Sequence, residues 1–322
     1  MFKKIKAARL VQRAGQVTPD AAWTDPELTA VKPLVVQGDL EAGWRLLVAS
    51  RADHESRLLR LKTLSRAAIP HVNRLAQLSG ERQDDPELAL WLGTTRINQG
   101  WAVRTGKMPP HVSQEQFEEF WFILGGAHDP LMRAAELLPD DPSPWEELQW
   151  RGLGLQLERA ELDEAWTEVV KRSPKLYTAH YSRGQVLCAK WQGSNEELLE
   201  FITATSTDAD PGDPLAALIV AGHLEIAVNK RQSRPTYFKL PDVIGPITEI
   251  ADRFMTGQTQ YLRTEEAHHL FGAAFFLAGD LDRARRHLSL VNPKTMTRTL
   301  PWEYLSNQPA VYYLAARDKL GI

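Results

Sequence analysis

The stretch Gly279-Asp280-Leu281-Asp282-Arg283-Ala284, with Gly272 before it and Leu288 after it, decides how the 322-residue chain reads. It spells the end of one helix, a Gly-Asp turn, and a second helix opening at Asp282 and running through Leu290. Gly272 puts a small residue where two backbones approach, and Ala284 does the same where the pair crosses. Gly93 and Gly100 repeat the seven-residue spacing after Leu92. Gly38-Asp39-Leu40-Glu41 with Leu47, and Glu161-Leu162-Asp163-Glu164-Ala165, give further turns and second helices. Pro86 suits a first turn capped by Asp84 or Asp85, with Leu88, Leu90, Trp91, Leu92, Ile97 and Trp101 on one broad face. Ser143-Pro144-Trp145 opens a helix through Leu157, and Asp163 opens one through Val170. Alternating strand patterns are nearly absent. Each helix pair would bury its remaining apolar face by stacking on the next, so the expected fold is all-α, an irregular α-solenoid of stacked antiparallel helix pairs.

These units resemble tetratricopeptide repeats. The order of landmarks from Trp101 through Phe117, Phe120, Leu137, Leu138, Pro139, Asp141 and Pro142 to Leu187-Cys188-Ala189-Lys190-Trp191-Gln192-Gly193-Ser194 also resembles an uncharacterised bacterial helical-repeat family, domain of unknown function 4034. Leu187, Lys190, Trp191, Gly193, Ser194 and Phe201 carry that likeness, over about residues 85 to 205. The resemblance implies a helical-repeat fold and brings no established activity with it.

Composition narrows the classes. With 43% hydrophobic and 25% charged residues, the chain is too apolar for disorder. Lys plus Arg number 38 against 41 Asp plus Glu, a formal net charge of −3, which gives no general reason to bind nucleic acid or an anionic membrane. One cysteine, Cys188, implies no disulfide framework. No apolar run reaches the length of a membrane span, and no signal peptide is read, so a cytoplasmic location is expected. The expected organisation is a basic arm or helix over 1–26, repeats over 27–228, a Pro-containing loop over 229–246, and repeats over 247–322 packed on the same solenoid. The arm interleaves Lys3, Lys4, Lys6, Arg9 and Arg13 with Phe2, Ile5, Leu10 and Val11. It reads as a loosely docked terminal helix, with peripheral membrane contact as the alternative.

In Lys190-Trp191-Gln192-Gly193-Ser194, Gly193 suits a positive φ after one helix, Ser194 caps the next, and Trp191 fills the joint, so the motif reads as structural. Glu265-Glu266-Ala267-His268-His269 holds two Glu-x-x-His pairs without a second helix to complete a di-iron set, so no metal or other cofactor is expected. Cys188 reads as a buried apolar residue, and no catalytic residue is assigned. Trp101 and Arg104, with Tyr177, His180, Tyr181 and Arg183, combine rigid aromatic area with cations on helices expected to line a concave side. The expected function is therefore a protein- or peptide-binding scaffold, with the arginines orienting an acidic or carboxylate-bearing segment. A peptide-sensing regulatory repeat protein and a helical-fold enzyme are the alternatives, the latter requiring a closed polar pocket with perturbed acids and bases.

Overall fold

In a computed structural model, residues 9–19, 24–105, 112–296 and 300–322 are described. The fold is all-α; the only strands among these residues are the two-residue β1 (Thr18–Pro19) and β2 (Thr295–Met296), which pair in parallel. The chain divides into two compact units, residues 25–186 and residues 1–24 with 187–322, and that division falls inside the array expected over 27–228. No helix among the described residues is long and apolar enough to cross a membrane.

The unit over 25–186 contains α1 (Pro26–Val36), α2 (Leu40–Ala49), α3 (His54–Ala67), α4 (Val72–Glu81), α5 (Pro86–Arg104), α6 (Gln114–Gly125), α7 (His128–Leu137), α8 (Ser143–Leu155), α9 (Arg159–Arg172) and α10 (Tyr177–Val186). Side chains start many of them: Asp25, Asp39, Asp53 and Asp85 each accept backbone N–H groups at a helix N-terminus, so Asp85 and not Asp84 caps α5. Helices α3, α5, α8 and α10 gather around one another. Their pairings advance together: Arg57 meets Glu87 and Arg66 meets Asn98, while Arg57 meets Asp141 and Lys62 meets Glu146. On α10, Thr178 meets Glu55 and Ser182 one turn later meets Glu146, so the four helices run parallel. Glycines permit the close packing of their neighbours. A Cβ on Gly93 would lie 2.7 Å from Leu131, one on Gly154 2.3 Å from Leu124, and one on Gly43 2.5 Å from the wholly buried ring of Trp91.

The other unit contains α11 (Asn195–Asp208), α12 (Leu218–Asn229), α13 (Arg234–Tyr237), α14 (Pro241–Phe254), α15 (Thr264–Ala278), α16 (Leu281–Leu288) and α17 (Pro309–Leu320). The deciding stretch folds as expected in outline: Gly279 takes φ +93° at the end of α15, Asp280 caps α16, and a Cβ on Gly272 would lie 2.5 Å from Leu288. The loop expected over 229–246 is shorter than that. Pro241 is the first residue of α14, where its missing N–H costs nothing, and Pro246 lies within the same helix. Of the basic arm, Lys3, Lys4, Lys6, Phe2 and Ile5 lie outside the described residues. Arg13 docks through two hydrogen bonds of 2.9 and 3.0 Å to Asp318.

Candidate functional site

The centre of the 25–186 unit is ionic. Arg57, 1% exposed, donates to Asp141 at 2.7 Å, to Glu87 at 3.3 Å and to the Leu47 carbonyl at 3.0 Å, while Arg51 reaches Glu87 from outside. One turn further along α3, the Lys62 ammonium lies 2.9 Å from Glu146 and 2.8 Å from Glu147. Ser182 of α10 donates to Glu146, and the Trp150 indole N–H donates to Ser182 at 2.8 Å. Burial pushes the Glu147 carboxyl up to about 7; Lys62 opposes this and the Glu146 charge adds to it. Burial also works against the Lys62 ammonium, yet the two glutamates more than offset it and hold its pKa above the ordinary value.

From this centre a strip of aromatic side chains leads outward, from buried Phe120 and half-buried Trp150, Trp101 and Phe117 to exposed Trp121. Lys62 lies over the Trp150 ring at 5.8 Å, and Trp150 meets Trp101 edge to face at 6.1 Å. Trp101 packs on Phe120 at 5.0 Å, and the Arg104 guanidinium lies 5.5 Å from Trp101 and 5.9 Å from Phe117. Phe117 continues to Trp121 at 5.5 Å. These contacts make α5 and α6 antiparallel: Gly100 meets Leu124, Trp101 meets Phe120, and Arg104 meets Phe117. Partial burial lowers the Arg104 pKa, with no neighbouring acid acting on it, and Arg104 is in no ion pair among the described residues.

The six residues singled out in the sequence are divided by the structure. Trp101 and Arg104 stack together at the end of α5 and remain half-buried. Tyr177, His180 and Arg183 are buried on α10, and Tyr181 is half-buried. The His180 Nδ1–H donates to the Leu176 carbonyl at 2.9 Å, and the ring meets Trp166 edge to face at 5.0 Å; burial lowers its pKa. Arg183 donates to Asp163 at 2.6 Å and lies over Trp166. Both thus turn toward α9, whereas Thr178 and Ser182 of the same helix turn toward Glu55 of α3 and Glu146 of α8. Sequence reading missed Lys62, Glu146, Glu147 and Ser182. Nothing local marks them: Lys62, the Glu146-Glu147 pair and Ser182 lie on three separate helices.

No family model matches the chain, and no curated protein or solved structure matches it. The weight therefore rests on the residues themselves. Lys190 binds both carboxylate oxygens of Glu225 at 2.8 Å, and Ser194 caps α11 by accepting from the Glu197 N–H at 3.0 Å. Gly193 is not among the glycines with positive φ, so the conformational reason expected for it is replaced by a steric one: a Cβ there would lie 2.0 Å from the Leu187 carbonyl oxygen. Trp191 is half-buried, and its N–H donates to the Cys188 carbonyl at 2.9 Å through the backbone. Burial pushes the Cys188 thiol up to about 12, which removes it as a nucleophile at neutral pH. Glu266 pairs with Arg263 and Glu265 accepts from the Asn292 N–H, while His268 and His269 are buried. Among the described residues no group of three or more His, Cys, Asp or Glu is placed to hold a metal ion.

Proposed function

We propose that this protein is a peptide- or protein-binding scaffold of the tetratricopeptide-like, stacked-pair kind, with its recognition edge at the end of α5. The observation that carries this reading is Arg104. It is a half-buried guanidinium 5.5 Å from the Trp101 ring and 5.9 Å from the Phe117 ring, donating to the Thr105 carbonyl at 3.2 Å and in no ion pair among the described residues, beside an exposed aromatic, Trp121. A cation kept partly desolvated on aromatic faces gains most from a carboxylate that arrives with its own apolar neighbours. The family resemblance over about residues 85 to 205 spans this edge and supports the repeat reading without adding an activity.

The test is a random-peptide selection against the full chain. Selected peptides should carry an acidic residue beside apolar ones, and Arg104→Ala should weaken them by about tenfold, the loss of one charge-assisted contact. Arg45→Ala, whose side chain pairs with Glu41 at an exposed site, is the matched control. Peptides that bind Arg104→Ala as tightly as the parent protein would remove the proposal.

A helical enzyme is the second reading, and Glu147 is what favours it, since a carboxyl brought to about 7 beside a lysine has the properties of a general acid or base. Against it, Glu146 and Glu147 are 0% and 1% exposed, and Lys62 closes over both. The centre spends its polar groups on holding helices together.

A further inference from the structure

One helix of the 25–186 unit turns an unusual face outward. Trp121 and Phe122 are adjacent on α6 and 42% and 84% exposed, whereas every other large exposed apolar residue described is aliphatic apart from Tyr261. Phe122 lies on one stripe with Glu115, Glu118 and Glu119, at spacings of three, four and seven residues. All three glutamates are exposed, and none is in an ion pair among the described residues. Glu118 accepts a hydrogen bond from Gln114 at 2.9 Å, which orders it along the helix and leaves its charge uncompensated. The stripe from Glu115 to Phe122 is seven residues, about 10 Å of helix, or two turns.

We propose that this outer face of α6 docks a basic amphipathic helix of a partner protein, its apolar side on Trp121 and Phe122 and its lysines or arginines over Glu115, Glu118 and Glu119. An exposed Trp-Phe pair supplies the anchoring area that small interfaces depend on. Three unpaired carboxylates beside it repel an acidic segment or an anionic lipid surface and attract a basic one, so the charge pattern chooses the occupant. Trp121 borders the edge that holds Arg104, but Phe122 and the three glutamates lie on another stripe of α6, and the inference goes beyond the carboxylate recognition proposed above.

The test titrates the full chain against two fluorescent peptides of the same amphipathic pattern, one of Leu and Lys and the other of Leu and Glu, and against phosphatidylcholine vesicles with and without phosphatidylserine. The Lys peptide should bind, and its affinity should fall at least about tenfold with added salt, as for attraction between exposed charges. Phe122→Ser, and separately Glu118→Lys with Glu119→Lys, should each weaken it by about tenfold, while Glu196→Lys with Glu200→Lys on the exposed face of α11 should leave it unchanged. All of these positions are exposed, so the fold survives the changes. Equal binding of the Glu peptide, equal loss in the α11 variant, indifference to the α6 variants, or binding to vesicles in place of the Lys peptide would each overturn the proposal.

Discussion

The two units bury polar groups in opposite ways. Around α3, α5, α8 and α10 the interior keeps full charges: Arg57 with Asp141 and Glu87, and Lys62 with Glu146 and Glu147. Around α12, α15 and α16 the interior keeps neutral imidazoles. His268 and His287 face each other Nδ1 to Nδ1 at 3.0 Å, a bond that needs one ring to donate and the other to accept. His269 accepts from the wholly buried Trp302 indole at 3.1 Å, and His223 bonds the Tyr237 hydroxyl at 2.8 Å. Burial holds His223 and His268 at about 4, and His269 and His287 at about 3. Charge pairing fixes the register of parallel helices but needs both partners present; neutral imidazoles suit a region with little countercharge but tolerate no proton.

The largest test of that contrast is acid. The unfolded chain takes up protons on its histidines near 6.5, and the folded 187–322 region refuses them until about 4 to 3. Their stabilisation is therefore complete above pH 6.5, falls progressively below it and is gone once the pH passes those lower values, on the order of 3 kcal/mol for a fully titrated ring. Glu147 runs the other way. Its folded value near 7 lies above the ordinary 4.5, so its contribution is full below pH 4.5 and gone above pH 7. Hydrogen exchange corrected for intrinsic rates should show α15 losing protection from pH 6.5 to 4.5 while α8 holds or gains it. Parallel loss in both helices would erase the distinction.

Next in size is Arg57→Met. It leaves Asp141 buried without its cation and should destabilise the 25–186 unit by about 3–5 kcal/mol, read as a lower denaturant midpoint for α3 and α8. Gly154→Ala tests packing in place of charge: its Cβ would meet Leu124 at 2.3 Å and Phe120 at 2.7 Å, so a loss of about 1–3 kcal/mol is expected in a thermal melt. The smallest effect is Ser194→Ala, which removes a cap from α11 and should cost about 1 kcal/mol, confined in exchange experiments to the first turn of that helix.

Local rules made much of this legible. Pro86 and Asp85 start α5 as their chemistry requires, Ser143 starts α8, and Gly272 lies against Leu288 as the spacing of the deciding stretch demands. The helix expected from Asp163 begins earlier, at Arg159, because Asp163 faces Arg159 one turn before it and so belongs within the helix. The polar centre was not legible. Lys62 and Glu147 are 85 positions apart, and only the parallel alignment of α3 and α8 brings them to 2.8 Å. In sequence His180 and Arg183 read as candidate anchors, with partial burial between repeats the competing reading for His180; Trp166 and Asp163 on α9 draw both inward. No local pattern states which side of a helix meets a partner from elsewhere in the chain.

The common direction of α3, α5, α8 and α10 gathers their N-terminal ends on one side of the group. Each helix adds roughly half a positive charge at its N-terminal end and half a negative one at the other. Asp53, Glu55, Asp85, Glu87 and Asp141 crowd the positive pole and quiet it. At the other end the antiparallel α6 sets its own positive pole beside the negative pole of α5, and the two largely cancel. A charged segment approaching that end is therefore met by the side-chain charges of Arg104, Glu115, Glu118 and Glu119 with little bias from the helix ends.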